Sequence, residues 1–277
     1  MGTPSISAGA GVPPWGAWPY RLALAGGWID QPFVSRWNPD RVGSMVVVGL
    51  EPTCGFMERC GMATGTRRIA MQRWPDGIPD RPRLEVVREL YAAENEGRAD
   101  PSGSQDMIGL VYPGINRLDY DAAHEGGVFP VHIETLNDPR CEEWLEQVVN
   151  LVPLGPRPPS YHPLGIQRLE PAWVARLGRS GAACFEAIRR RDIGALGASL
   201  NECMECWGQL LPYTLRHPSI QTDLVGIWMY YRARYPGAMF SGCGGGYLIV
   251  VSERPVPGAL RITVRRATAQ AHNARAM

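Results

Sequence analysis

The segment PGAMFSGCGGGYLIVVSE, residues 236–253, sets three consecutive glycines, Gly244 to Gly246, directly before an apolar run of strand character. Glycines cluster where the backbone takes positive φ or where another group closely approaches the main chain. The segment therefore reads as a strand entered through a loop against which something packs. Whether that partner is a ligand or the chain itself depends on the other small-residue loops.

Three such loops precede it. AGGWID (25–30) ends the strand-like run YRLALAGG (20–27), CGMATGT (60–66) runs into a helix start, and PSGSQD (101–106) carries an acid. The second loop has a definite physical reading. Small residues let the backbone curl, and the following helix presents unpaired N–H groups at its positive dipole end, an arrangement suited to phosphate. Thr64 and Thr66 add hydroxyls for a phosphate oxygen or a metal-bound water. The loop reads equally well as a helix cap with small packing residues. It is neither the GxxxxGK[ST] loop nor the GxGxxG dinucleotide fingerprint.

The chain has 277 residues, room for one large domain or two ordinary ones. With 45% apolar and 20% charged residues it has the make-up of a packed soluble protein. A formal net charge of +1 gives no broad footprint for nucleic acid or membrane. There is no lysine, which excludes a Walker-type phosphate lysine and any Schiff base. Seven scattered cysteines argue for a reducing compartment, read as the cytoplasm, rather than a disulfide framework. Cys203 and Cys206 form a lone CxxC in a helical segment, which reads as two buried thiols before it reads as a metal or redox pair. No secretory signal or transmembrane run is expected. The first 15 residues and the tail 269–277 read as disordered.

Along the chain, 44–51 is a valine-rich strand and 82–97 an amphipathic helix with Pro82 in its first turn. Residues 109–114 and 115–121 read as short strands about a turn, and 129–136 as another. The proline-dense 149–165 reads as a junction or long ordered loop. Beyond it, 171–192, 194–211 and 219–235 are helical by period. The strands 247–253 and 259–266 close the sequence. Mixed strands and helices make this α+β or α/β.

The four loops together resemble the motifs of the galactokinase, homoserine, mevalonate and phosphomevalonate kinases (GHMP kinases), in that family's order, from Pro19 to about Arg266. PYRLALAGGWIDQPF resembles the first motif, CGMATGTRR the phosphate loop, PSGSQD the segment with the catalytic acid, and SGCGGGYLIVV the glycine-rich third motif. The details are most similar to the sugar-kinase branch that includes heptose 7-phosphate kinases. The resemblance implies a two-domain α+β fold, with an N-terminal domain over 16–150 and a helix-rich C-terminal domain over 151–268. It implies an ATP- and Mg2+-dependent kinase acting on a hydroxyl of a sugar, sugar phosphate or cyclitol. It leaves open a degenerate nucleotide- or sugar-binding relative, and also a homodimer.

By resemblance, Asp106 orients or accepts the proton of the attacked hydroxyl, and Arg21 stabilises the transferred phosphoryl group. Gly61, Met62, Ala63, Thr64, Gly65 and Thr66 cradle the nucleotide phosphates. Asp30 binds the acceptor's hydroxyls, with Gly242, Cys243, Gly244, Gly245 and Gly246 shaping the acceptor floor. Thr66 and Glu94 hold magnesium, with Glu96 as rival to Glu94. Each has an architectural alternative: Asp106 as a helix cap, Arg21 and Asp30 as a plain ion pair, Glu94 as a surface charge. Trp15, Trp18 and Trp28 read as packing before stacking. The loop GMATGT departs from the family's usual G-L-G-S-S-S.

Overall fold

A computed structural model describes residues 16–98 and 101–267. The expectations for 1–15, including Trp15, and for the tail 269–277 fall outside the described residues. In chain order the first half holds β1 (Tyr20–Ala23), a helical turn α1 (Pro32–Ser35), β2 (Val42–Leu50), α2 (Thr64–Arg73), α3 (Arg83–Asn95), α4 (Gln105–Val111), β3 (Ile115–Asp121), β4 (His132–Leu136) and α5 (Pro139–Val148). The second half holds β5 (Val149–Gly155), α6 (Pro171–Arg190), α7 (Ile193–Leu210), α8 (Leu224–Arg232), β6 (Gly237–Gly242), β7 (Gly245–Val251) and β8 (Leu260–Arg261).

Two antiparallel sheets carry this α+β fold, in the orders β1-β2-β3-β4 and β6-β7-β5-β8. In the first, Val48 sits opposite both Leu22 and Ile115. Strand β2 is buried almost throughout because α6 and α4 both pack on it. A strand buried on two faces needs no polar alternation, hence the continuous run MVVV. Helix α6 approaches so closely that a Cβ on Gly181 would lie 1.9 Å from the Ser44 carbonyl. Helix α7 continues the layer to the second sheet, where Gly197 and Gly237 meet backbone to backbone. The chain's last described segment returns to β2. Glu51 donates to the Thr263 carbonyl at 2.9 Å, and Arg265 donates to the Gly49 carbonyl at 2.8 Å.

Several sequence expectations need correction. Residues 109–114 are not a strand: α4 runs to Val111, and Pro113 stops it. The glycine there is needed because a Cβ on Gly109 would lie 2.0 Å from the Arg21 Cγ. The proline-dense segment begins with β5, a strand between β7 and β8, so Val149–Gly155 is sheet interior rather than linker. Pro153 fits because the ladder shifts register there. Helix α5 passed unread, although Asp138 caps it through the Arg140 N–H at 3.0 Å and Pro139 opens it. Helix α8 starts at Leu224, capped by Asp223, rather than at residue 219. The loop expected at 241–246 begins inside β6, which runs Gly237–Gly242. The run 259–266 is strand only at Leu260–Arg261, with a single bridge from Val264 to Leu50.

Gly181→Ala separates packing from helix propensity. Alanine is the better helix former by about 1 kcal/mol, yet its methyl has no room at this site. Urea denaturation is expected to show a loss of about 2–4 kcal/mol for Gly181→Ala. The exposed Gly194 of α7, whose Cβ would meet nothing nearer than 3.5 Å, is expected to be neutral or to gain up to about 1 kcal/mol as alanine.

Candidate active site

A cleft of about 560 Å³ opens where the first motif, the loop before α2, the start of α4 and the β6–β7 hairpin converge. Its wall includes Arg21, Asp30, Gly61, Ala63 to Thr66, Glu94, Asp106, Gly242 and Cys243. Residues more than two hundred positions apart thus share one surface.

Helix α2 starts abruptly. Ala63 takes the left-handed conformation at φ 56°, no side chain caps the helix, and its first turn holds no acid. The first N–H with a helical acceptor is that of Arg67, bonded to the Ala63 carbonyl at 2.9 Å. Among the described residues the N–H groups of Thr64, Gly65 and Thr66 have no acceptor. Three free donors at a positive helix end, bordering a cleft, can receive an anion.

The β6–β7 hairpin holds this loop from behind. A Cβ on Gly61 would lie 2.7 Å from the Gly242 backbone, and one on Gly246 only 2.2 Å from the Cys60 carbonyl. Ser241 ties the two by donating to the Cys60 carbonyl at 2.7 Å while accepting from the Tyr247 N–H at 3.1 Å. The glycines thus serve chain-to-chain contact first. Of the five proposed acceptor-floor residues, Gly242 and Cys243 line the cleft. Gly244 and Gly245 turn away into a separate depression beside Pro156 and Thr222, and Gly246 is filled by the Cys60 main chain. The Met62 side chain lies in the core, and its carbonyl accepts from the Arg21 N–H at 3.5 Å.

The charged groups form a compact set. Arg21, 5% exposed, is ion-paired with Asp106 and donates from Nη1 to the Gly61 carbonyl at 3.0 Å. Its partner is therefore Asp106, not Asp30. Thr66 Oγ1 donates to the other Asp106 oxygen at 3.4 Å. Asp106 lies in the first turn of α4 and caps nothing; Ser104 occupies the cap position. Ser104 is anchored through the Val128 carbonyl and the Tyr120 hydroxyl at 2.7 and 3.0 Å.

Glu94 projects from α3 into the cleft wall at 9% exposure, whereas Glu96 is exposed and off the wall. Its Oε1 accepts from Ser102 at 3.0 Å, and its Oε2 is buried without a partner. Burial first, and then the charge of Asp106, push its pKa up, against the pull of Thr66, Ser102 and Arg98. A buried, unpartnered carboxylate oxygen beside the Thr66 hydroxyl is an oxygen donor set that fits a hard cation such as Mg2+.

Asp30 is the most isolated acid. It is 1% exposed, and neither carboxylate oxygen has a partner. Only a glycine at 103 leaves it room, since a Cβ there would lie 1.8 Å from Oδ2. Burial, and secondarily the charge of Asp106, raise its pKa to about 7 against the pull of Arg21. Trp28, at φ 84°, and Trp207 also reach this end of the cleft, the latter bonded to the Gly27 carbonyl at 3.0 Å. Nothing in the sequence marked Trp207, because its partner lies 180 residues away. Trp18 is core, stacked on Trp74. Cys203 and Cys206 are buried in α7, and among the described residues no group of three or more His, Cys, Asp or Glu could join them around a metal. Cys203 accepts from the Gly26 N–H at 3.3 Å, and burial pushes it up to about 12.

No protein-family model matches the chain, and no curated protein matches it. Solved structures do. A mevalonate kinase superposes with a TM-score of 0.58 at 12% identity, over 90% of this chain and 98% of that one. Galactokinase of Lactococcus lactis, in complex with galactose, gives 0.56 at 11% identity over 85% and 84%. A D-glycero-D-manno-heptose 1-phosphate kinase from Bacteriodes thetaiotaomicron gives 0.54 at 13% over 90% and 95%. The chain has the two-domain α+β fold of the GHMP kinases, as the resemblance of its motifs implied.

The Asp30 carboxyl supplies a signed prediction. An unfolded aspartate titrates near ~3.9, the folded one near 7. The folded state thus favours the protonated acid, and stability falls as pH rises between about 4 and 7. Asp30→Asn removes this loss. Relative to wild type it is expected to gain nothing at the acid end and up to about 4 kcal/mol above pH 7. Urea unfolding of both proteins across that window checks the sign and the span.

Proposed function

We propose that the protein is a small-molecule kinase of the GHMP type, transferring the γ-phosphate of ATP to a hydroxyl of a polyhydroxylated acceptor such as a sugar, sugar phosphate or cyclitol. The observation that carries the reading is the convergence of Asp106, Arg21 and Thr66 at the unsatisfied amino end of α2. An ion pair alone is common, and so is a bare helix end. An acid held by an arginine and a threonine beside a phosphate-sized cradle is what phosphoryl transfer requires.

In this reading the N–H groups of Thr64, Gly65 and Thr66 hold the phosphates. The acceptor hydroxyl lies against Asp106, which takes its proton as the hydroxyl oxygen bonds to the γ-phosphorus and the bond to the β-phosphate oxygen breaks. Arg21, fixed at the Gly61 carbonyl and Asp106, orients that carboxylate and offers positive charge to the transferring group. Asp30, buried without a partner, accepts from or donates to a second acceptor hydroxyl according to its protonation. Glu94 and Thr66 would hold a magnesium ion, which neutralises phosphate charge when bound. The division into domains over 16–150 and 151–268 belongs to the same reading. The first sheet ends with β4 at Leu136 and the second begins with β5 at Val149, on the far side of α5.

The test is ADP release with Mg·ATP and a panel of sugars, sugar phosphates and cyclitols. At least one acceptor is expected to give turnover, and Asp106→Asn to lower it by about a thousandfold while binding a non-hydrolysable ATP analogue within about threefold of wild type. Survival of turnover in Asp106→Asn would remove that residue's role. Nucleotide binding with no ADP release for any acceptor would leave a binding protein built on this fold.

A further inference from the structure

Five arginines line the cleft, and three of them have acidic partners. Arg21 pairs with Asp106, Arg68 with Glu58 at 2.5 Å, and Arg98 with Glu94 at 3.4 Å. Arg59 and Arg157 differ. Among the described residues neither has a carboxylate within 4.0 Å. They are held by main chain instead, largely by each other's. Arg157 Nε donates to the Arg59 carbonyl at 3.0 Å, and Arg59 Nε donates to the Arg157 carbonyl at 3.0 Å. Arg59 Nη2 reaches the Pro158 carbonyl at 2.8 Å, and Arg157 Nη1 the Cys243 carbonyl at 3.3 Å.

This arrangement is specific and electrostatically incomplete. Carbonyl dipoles satisfy N–H donors, but they do not neutralise the two guanidinium charges that line this cleft. The backbone is committed to it as well, since Arg59 sits at φ 56°. The place is also specific. A Cβ on Gly242 would lie 4.0 Å from Arg157 Nη1 and 2.8 Å from the Gly61 Cα. The Arg157 guanidinium therefore adjoins the junction of the phosphate loop and the hairpin. Like charges confined to a cleft wall draw anions, and the planar fork of arginine matches phosphate oxygens.

We propose that Arg59 and Arg157 form a second oxyanion site in the cleft, separate from the amino end of α2, that takes a phosphate group of one of the two substrates. The inference rests on the kinase reading. That reading offers two sources of the same chemistry, the nucleotide's phosphate tail or a phosphate ester carried by the acceptor.

The experiment is calorimetry at low salt on the full chain: wild type, Arg59→Gln and Arg157→Gln, each shown to be folded by thermal melting. Inorganic phosphate is titrated into free protein and into protein saturated with magnesium and a non-hydrolysable ATP analogue, and the analogue itself is titrated separately. Either variant is expected to weaken one phosphate site at least tenfold. If that site persists beside bound analogue, it serves the acceptor. If the analogue displaces phosphate and itself loses at least tenfold in the variants, it serves the nucleotide. Both variants matching wild type within twofold in every titration overturns the proposal, as does a wild type that binds no phosphate at millimolar concentration. Should Arg157→Gln fail to fold, the exposed Arg59 carries the test alone. Should wild type bind phosphate through these arginines but no nucleotide, the kinase reading falls and the oxyanion site stands.

Discussion

The site depends on one steric constraint: two stretches of backbone, around Gly61 and Gly242, touch with no side chain between them. Only glycine at both positions permits it, and Gly246 repeats the device against the Cys60 carbonyl. The contact fixes where the loop before α2 ends and therefore where the free N–H groups of that helix point. It also presents the Gly61 carbonyl to Arg21, which in turn holds Asp106. Helix α4 can carry that aspartate so close to β1 because Gly109 leaves the Arg21 side chain a path. A short chain of contacts thus runs from the last sheet, through the loop before α2, to Asp106.

Charge is the second organising feature. Asp106 pairs with the buried Arg21 guanidinium, Asp30 feels its charge, and Glu94 feels that of Asp106; Asp30 and Glu94 have their pKa raised. Unpartnered buried carboxylate oxygens cost stability, and a fold selected for stability alone would pair or replace them. Arg59 and Arg157 line the same cleft and, among the described residues, have no acidic partner. Both kinds of incomplete site line one cleft.

Much of this was legible in the sequence, and the failures have physical reasons. The loops were legible because glycine and small residues mark backbone demands directly, and their order matched a known set of motifs. Arg21, Asp30, Glu94, Thr66 and Asp106 do gather at one cleft. Gly244 and Gly246 are approached by Tyr161 and by the Cys60 main chain; sequence does not tell close approach by a ligand from close approach by the chain. Strand β5 was missed because Pro153 and the prolines that follow the strand look like linker, and only the sheet shows that the ladder tolerates Pro153. The segment 109–114 was read as a strand because its glycine and proline mimic turn chemistry; the glycine answers instead to a side chain 88 positions earlier. Arg157 and Trp207 carry no local signal at all, since their partners lie 86 or more positions away.

The most direct measurement is calorimetric binding of a non-hydrolysable ATP analogue to the wild-type chain and to Thr66→Ala, with and without magnesium. Micromolar binding that requires magnesium and weakens by tenfold or more in Thr66→Ala is the predicted result. Absence of binding to folded wild-type protein, with every nucleotide offered and with acceptor present, would contradict the account and leave the cleft without its donor.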